Sequence, residues 1–269
     1  MPSSVGEVLR IVVIVGVLAL LLRAGRAAWG RRRLAFRIWR SIRPRHVVGS
    51  LALIVVVLTV ALSLLTFVPV TGVGLGQLLG LDGNAVFAPI DNALEAPIQA
   101  ADEAQQTGTE AAGVPWTDIV GVTGFLAGLI LLFPYLAHGE EEAFRAGWED
   151  FDHLRQALSA LRFGLIHMIM LIPLAAALAV GVAGYVYGRI YLRAYRRAAV
   201  PVATIPERRL WVATDEQGLS RLVMGPPSPV LTVDRTEARR QAVFSAAVWH
   251  TTFNTTVAVV VLVGYLLSL

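Results

Sequence analysis

The stretch Leu154–Leu192, LRQALSALRFGLIHMIMLIPLAAALAVGVAGYVYGRIYL, decides the fold. Read as one crossing it would run from 163 to 192, 30 residues. Such a helix would be about 45 Å long against a hydrocarbon core of about 30 Å. Pro173 also falls inside it, where a missing N–H breaks the hydrogen-bond ladder. Two helices, 154–172 and 173–192, fit better. The flanking charge agrees, because 193–242 carries Arg193, Arg196, Arg197, Arg208, Arg209, Arg221, Arg235, Arg239 and Arg240. Two helices return this segment to the side of the other arginine-rich loop, 23–46, which has nine arginines and no acid and reads as cytoplasmic. The first helix is a weak span alone, since Arg155 and Arg162 lie on it, and is expected to be re-entrant or wrapped by neighbours. The second carries Ala177, Gly181, Gly184 and Gly188, a spacing that lets another helix approach closely.

Working outward, residues 8–22 form an apolar run. Arg23, Arg26, Arg31, Arg32 and Arg33 follow directly, the wrong flank for signal-peptide cleavage, so a retained first span is expected. Residues 47–68 read as the second span. Residues 69–116 hold Asp82, Asp91, Glu95, Asp102, Glu103 and Glu110 with no arginine, which predicts an external loop with a short surface helix near 89–105. Residues 117–137 are the third span, with a kink expected at Pro134. Residues 243–268 are the last. The chain is thus expected to be an all-α polytopic helical membrane protein of about six transmembrane or re-entrant helices, multi-pass in the cell membrane with both termini outside. In the loop 193–242, Arg209–Ala213 and Val230–Val233 look extended and predict a small hairpin.

Composition sets the class. A mean hydropathy of +0.64 with 56% hydrophobic residues places the chain among membrane proteins. Cysteine is absent, which excludes a disulfide framework and a thiolate zinc site. The net charge of +4 resides in arginines of loops rather than on a soluble basic face, so no nucleic-acid partner is expected.

Three polar motifs interrupt the apolar helices. They are Glu140-Glu141-x-x-x-Arg145, Phe163-x-x-x-His167 and His250-x-x-x-Asn254. Ionisable groups in membrane helices are costly and point to function by default. Glu141 and Arg145 stand at i and i+4 with the acid first, the favourable order for a pair. Glu140 lies about 100° round the helix from Glu141 and faces something else. A carboxylate in a poorly solvated place can act as a general base. His250 and Asn254, also i and i+4, can both donate to one oxygen, as an oxyanion site requires. Taken singly, each motif also fits a bland reading. Glu140 to Asp152 could be a solvated acidic patch, His167 a packing residue, and His250 with Thr251, Thr252, Thr255 and Thr256 a polar stripe between helices.

The ordered set EExxxR, FxxxH, HxxxN resembles the CPBP family of intramembrane glutamic endopeptidases, which includes CAAX prenyl proteases and bacteriocin-processing enzymes. The resemblance covers about 115–269, with 193–242 as a cytoplasmic insertion; 1–114 supplies two N-terminal spans and their loops. Ala146 departs from the pattern, with the expected glycine one place later at Gly147. The resemblance implies that Glu140 activates a water, His167 helps hold it, His250 and Asn254 stabilise the oxyanion, and Glu141 and Arg145 support. It implies no cofactor, and a membrane-embedded or lipid-modified peptide or protein as substrate in the lipid bilayer. Three rivals stand beside it. One is a zinc peptidase using Glu140, His167 and His250, although no HExxH is present. Another is a non-catalytic peptide-binding or immunity protein on the same scaffold. The third is a small transporter, for which no inverted repeat is visible.

Overall fold

A computed structural model describes residues 15, 16, 19, 21–75, 116–170, 172–199, 202–204, 210–214, 220–224, 230–232 and 234–267. Helical backbone at 21–30 leads into α1 (Arg32–Ser41) and α2 (Pro44–Phe67). Then come α3 (Trp116–Arg145), α4 (His153–Ile166), α5 (Leu174–Ala198) and α6 (Arg235–Leu267). Between α5 and α6 lie four short strands, β1 (Val202–Thr204), β2 (Leu210–Thr214), β3 (Ser220–Met224) and β4 (Val230–Thr232). The bundle is all-α and of the helical membrane class. Four helices, containing α2, α3, α5 and α6, are long and apolar enough to cross a membrane. The expected first span, 8–22, falls mostly outside the described residues, as does the surface helix near 89–105.

The break predicted before Pro173 is present, but α4 is shorter than expected. It ends at Ile166 rather than 172, and 14 residues make a helix only about 21 Å long. A 3-10 turn, His167–Met170, follows it. The reason is local. The His167 N–H donates to the carbonyls of Gly164 and Leu165, tightening the last turn. Pro173 then holds the residue before it out of the α region. The reversal is tied down where the Leu174 N–H donates to the Val73 carbonyl at 3.1 Å, just past the end of α2.

Three other boundaries move. Helix α3 does not stop near 137; it runs unbroken through the fully buried Pro134 to Arg145, so the first motif lies on the same helix as the third span. Pro134 removes only the donor to Ile130. Helix α5 extends past 192 to Ala198. Helix α6 starts at Arg235 rather than 243, capped by Asp234 Oδ1, which accepts from the Glu237 N–H at 3.0 Å. The two extended runs foreseen in the loop are strands but do not pair with each other. Leu210–Thr214 pairs antiparallel with Ser220–Met224, and Val230–Thr232 pairs with Val202–Thr204.

Helix α5 is the centre of the bundle, packed by α4, α6 and α2. Half of its most apolar window (50%) is buried, against 6% for α2, which is peripheral. Small residues make this possible. A Cβ on Gly164 would stand 2.2 Å from the Ala177 carbonyl oxygen, so α4 and α5 touch backbone to backbone. Helix α1 seals one flank, where Ile38 packs with Ala247 and Val248 of α6. The C-terminal ends of α3 and α5 and the start of α6 meet at the arginine-rich end. There Arg239 pairs with Glu149, and its Nη2 reaches Asp150 Oδ2 at 2.7 Å. The Tyr191 hydroxyl also donates to Glu149 Oε2 at 2.8 Å.

Candidate functional site

The last turns of α3 carry Glu140, Glu141 and Arg145; the end of α4 carries Phe163 and His167; the middle of α6 carries His250. The fold brings these three elements together. Glu140 Oε2 lies 3.7 Å from His250 Nε2 and 3.9 Å from His167 Nε2. That oxygen is buried and has no hydrogen-bond donor among the described residues. Glu140 is nevertheless 34% exposed and His167 20% exposed in their side chains, whereas Glu141 and Arg145 are at 0%. The constellation therefore has one reachable face and one sealed face.

The sealed face orients the reachable one. His250 Nδ1 lies 3.0 Å from Glu141 Oε1. A carboxylate only accepts, so Nδ1 carries its proton toward Glu141 and the orientation of the imidazole is set. Glu141 is in turn 3.7 Å from Arg145 Nε. The guanidinium is held less by hydrogen bonds than by rings: its carbon sits 4.4 Å from the centre of Phe163, 5.5 Å from Trp148 and 5.9 Å from Phe144. His167 is oriented by its own helix. Its Nδ1 lies 2.7 Å from the Phe163 carbonyl oxygen, an acceptor, so Nδ1–H donates there and Nε2 faces Glu140. That carbonyl is available because α4 ends one residue before His167.

Aromatic packing completes the arrangement. Tyr187 of α5 stacks on His250 with ring centres 4.7 Å apart. Phe163 lies edge-on to both histidines, at 4.8 Å from His167 and 5.7 Å from His250. The glycines of α5 act here as well as in helix packing. A Cβ on Gly184 would meet Phe163 Cδ1 at 2.6 Å and Arg145 Nη2 at 3.0 Å, so Gly184 leaves room for the ring and the cation. Gly188 does the same for the Trp148 indole.

Of the residues singled out in the sequence, Glu140, Glu141, Arg145, His167 and His250 form one connected cluster. Asn254 is half-buried one turn further along α6 and makes no hydrogen bond to that cluster among the described residues. Sequence reasoning paired Glu141 with Arg145 and did not find its bond to His250, 109 positions away. It also did not find Tyr187 or Trp148. No spacing rule flags an aromatic on a neighbouring helix, although the regular glycines of α5 marked where large groups would be admitted. No family model, curated protein or solved structure matches this chain.

Proposed function

We propose that this chain is a glutamic intramembrane endopeptidase of the CPBP kind, a multi-pass protein of the cell membrane that cleaves a membrane-embedded or lipid-modified peptide near the cytoplasmic face. The observation that carries this is the approach of two imidazole Nε2 atoms to one unpartnered oxygen of Glu140, at 3.7 and 3.9 Å. Those distances are too long for direct bonds and suit a water held among the three groups. In this reading Glu140 takes one proton of the water while His167 Nε2 accepts a hydrogen bond from the other. The hydroxide attacks the scissile carbonyl carbon. Glu140 then returns the proton to the leaving amine as the C–N bond breaks, giving a carboxylic acid and an amine with no acyl-enzyme.

The oxyanion needs donors. Asn254 has its amide N–H₂. His250 has Nδ1–H committed to Glu141, so Nε2 can donate only when both ring nitrogens are protonated. The test compares the peptide termini of the membrane proteome in cells carrying the wild-type chain and cells carrying Glu140→Gln. Termini that appear only with the wild type are expected; identical sets in the two strains would overturn the proposal and favour peptide binding without cleavage.

The same convergence keeps a zinc reading open. Tetrahedral zinc at about 2.0–2.1 Å from its N and O ligands would hold those atoms about 3.3 Å apart. The observed separations are wider, and among the described residues no group of three or more such side chains is arranged to hold a metal ion. Zinc would require the side chains to close in, and metal content of the purified protein distinguishes the two mechanisms.

A further inference from the structure

A second feature lies on the opposite side of α3. A cavity of about 820 Å³ opens between α1, α3, α5 and α6 at the arginine-rich end of the bundle. Its α3 wall is formed by His138 and Glu142. These flank Glu140 by two positions each way, which places both about 160° round the helix from it. The cavity is therefore separate from the cluster of Glu140, His167 and His250 and is not the route to it.

The lining is cationic. Arg31, Arg37, Arg197 and Arg240 contribute four positive charges and Glu142 and Glu237 two negative ones, leaving two positive charges uncompensated. Glu237 lies 3.8 Å from Arg240 and offsets it, and Glu142 lies 4.0 Å from His138, beyond hydrogen-bond distance. Among the described residues Arg31 and Arg37 make ring contacts in place of ion pairs, over Tyr135 at 5.9 Å and over Phe244 at 5.2 Å. All four arginines are exposed. Leu34 and Phe244 add an apolar wall. The volume falls in the range of about 300–1,000 Å³ found for small-ligand sites.

Position narrows the ligand. Helix α1 turns Ile38 into the bundle, where it is fully buried, and leaves Phe36 (60% exposed) and, just before the helix, Trp29 (74% exposed) outside among arginines. A short amphipathic helix with arginine on one face and aromatic residues beside it lies in a membrane interface. A basic pocket between membrane helices at that level meets phosphate headgroups.

We propose that this cavity binds the phosphate of an anionic phospholipid, with the arginines on the headgroup and Leu34 and Phe244 against the start of the acyl chains. The full chain, purified in detergent, would be incubated with equimolar phosphatidylglycerol and phosphatidylcholine, and retained lipid measured by mass spectrometry. Selective retention of phosphatidylglycerol is expected. The double variant Arg37→Gln/Arg197→Gln should weaken it about 25-fold, from about fivefold for each arginine near an anionic surface. Arg155→Gln, an exposed arginine of α4 outside the cavity, should leave retention unchanged. Millimolar inorganic phosphate should not displace the lipid. Equal retention of the two lipids by the wild type would overturn the proposal. So would an equal loss in Arg155→Gln, which would mark general charge attraction. Displacement by inorganic phosphate would assign the cavity to a free anion and overturn the lipid as its occupant.

Discussion

Replacing Gly188 by Ala puts a methyl group where the Trp148 indole stands. The added Cβ would lie 1.9, 2.2 and 2.5 Å from three ring carbons. Ordinary carbon contacts are about 3.5–4.0 Å, so the ring must retreat by roughly 1.5 Å. It has nowhere easy to go. Trp148 is fully buried, its Nε1–H donates to Ser159 Oγ at 3.1 Å, and that hydroxyl donates to the Phe144 carbonyl at 2.9 Å. Overpacking of this kind costs about 1–3 kcal/mol, and the strained indole hydrogen bond adds about 1 kcal/mol. The better helix propensity of Ala offsets about 1 kcal/mol. A net loss of about 2 kcal/mol follows, which lowers the folded-to-unfolded ratio up to about 30-fold. Equilibrium unfolding in mixed micelles measures it, and a double-mutant cycle isolates the cause. In a Trp148→Ala background the clash is gone, and Gly188→Ala should stabilise by about 1 kcal/mol. An equal cost in both backgrounds would refute the argument that Gly188 is small because of that ring.

Four further outcomes are expected. Glu140→Gln should abolish cleavage of an identified substrate with unchanged folded yield, and chelators should leave wild-type turnover intact; full activity in the variant rejects the base assignment. Glu141→Gln keeps an oxygen that can accept from His250 Nδ1–H but removes the charge, leaving Arg145 buried without its counter-charge, a loss of about 3–5 kcal/mol, and Glu141→Gln/Arg145→Met should recover much of it in the same unfolding assay. Asn254→Ala should lower kcat about 100-fold or more with little change in KM, the signature of a lost oxyanion donor; normal turnover per folded molecule would make Asn254 a packing residue. Val70→Cys and Arg196→Cys, in a chain with no native cysteine, should label from opposite sides of a sealed membrane, and labelling from one side would sink the proposed topology.

The resemblance to the CPBP peptidases rests on the three motifs, and their ordered presence is what the sequence contributes to the functional reading. The tertiary arrangement adds a physical reason to take them together: residues separated by more than a hundred positions share one buried network.

Local rules were enough for much of this protein. Hydropathy identified the long helices, because burial in lipid demands apolar runs of fixed length. Pro173 marked the reversal between α4 and α5, because proline constrains the backbone on its own side and the residue before it. The i and i+4 spacing paired Glu141 with Arg145, because both lie on one helix face. What local rules could not reach depended on contacts between helices. The early end of α4, which frees the Phe163 carbonyl to orient His167, is accompanied by the pinning of the turn to Val73. The continuation of α3 through Pro134 is accompanied by packing against α6. The bond from His250 to Glu141, the ring cage round Arg145 and the choice of Gly184 and Gly188 as its floor exist only once α3, α4, α5 and α6 are packed. A side chain's neighbour on another helix is set by the packing of two surfaces, and no periodicity within one helix encodes it.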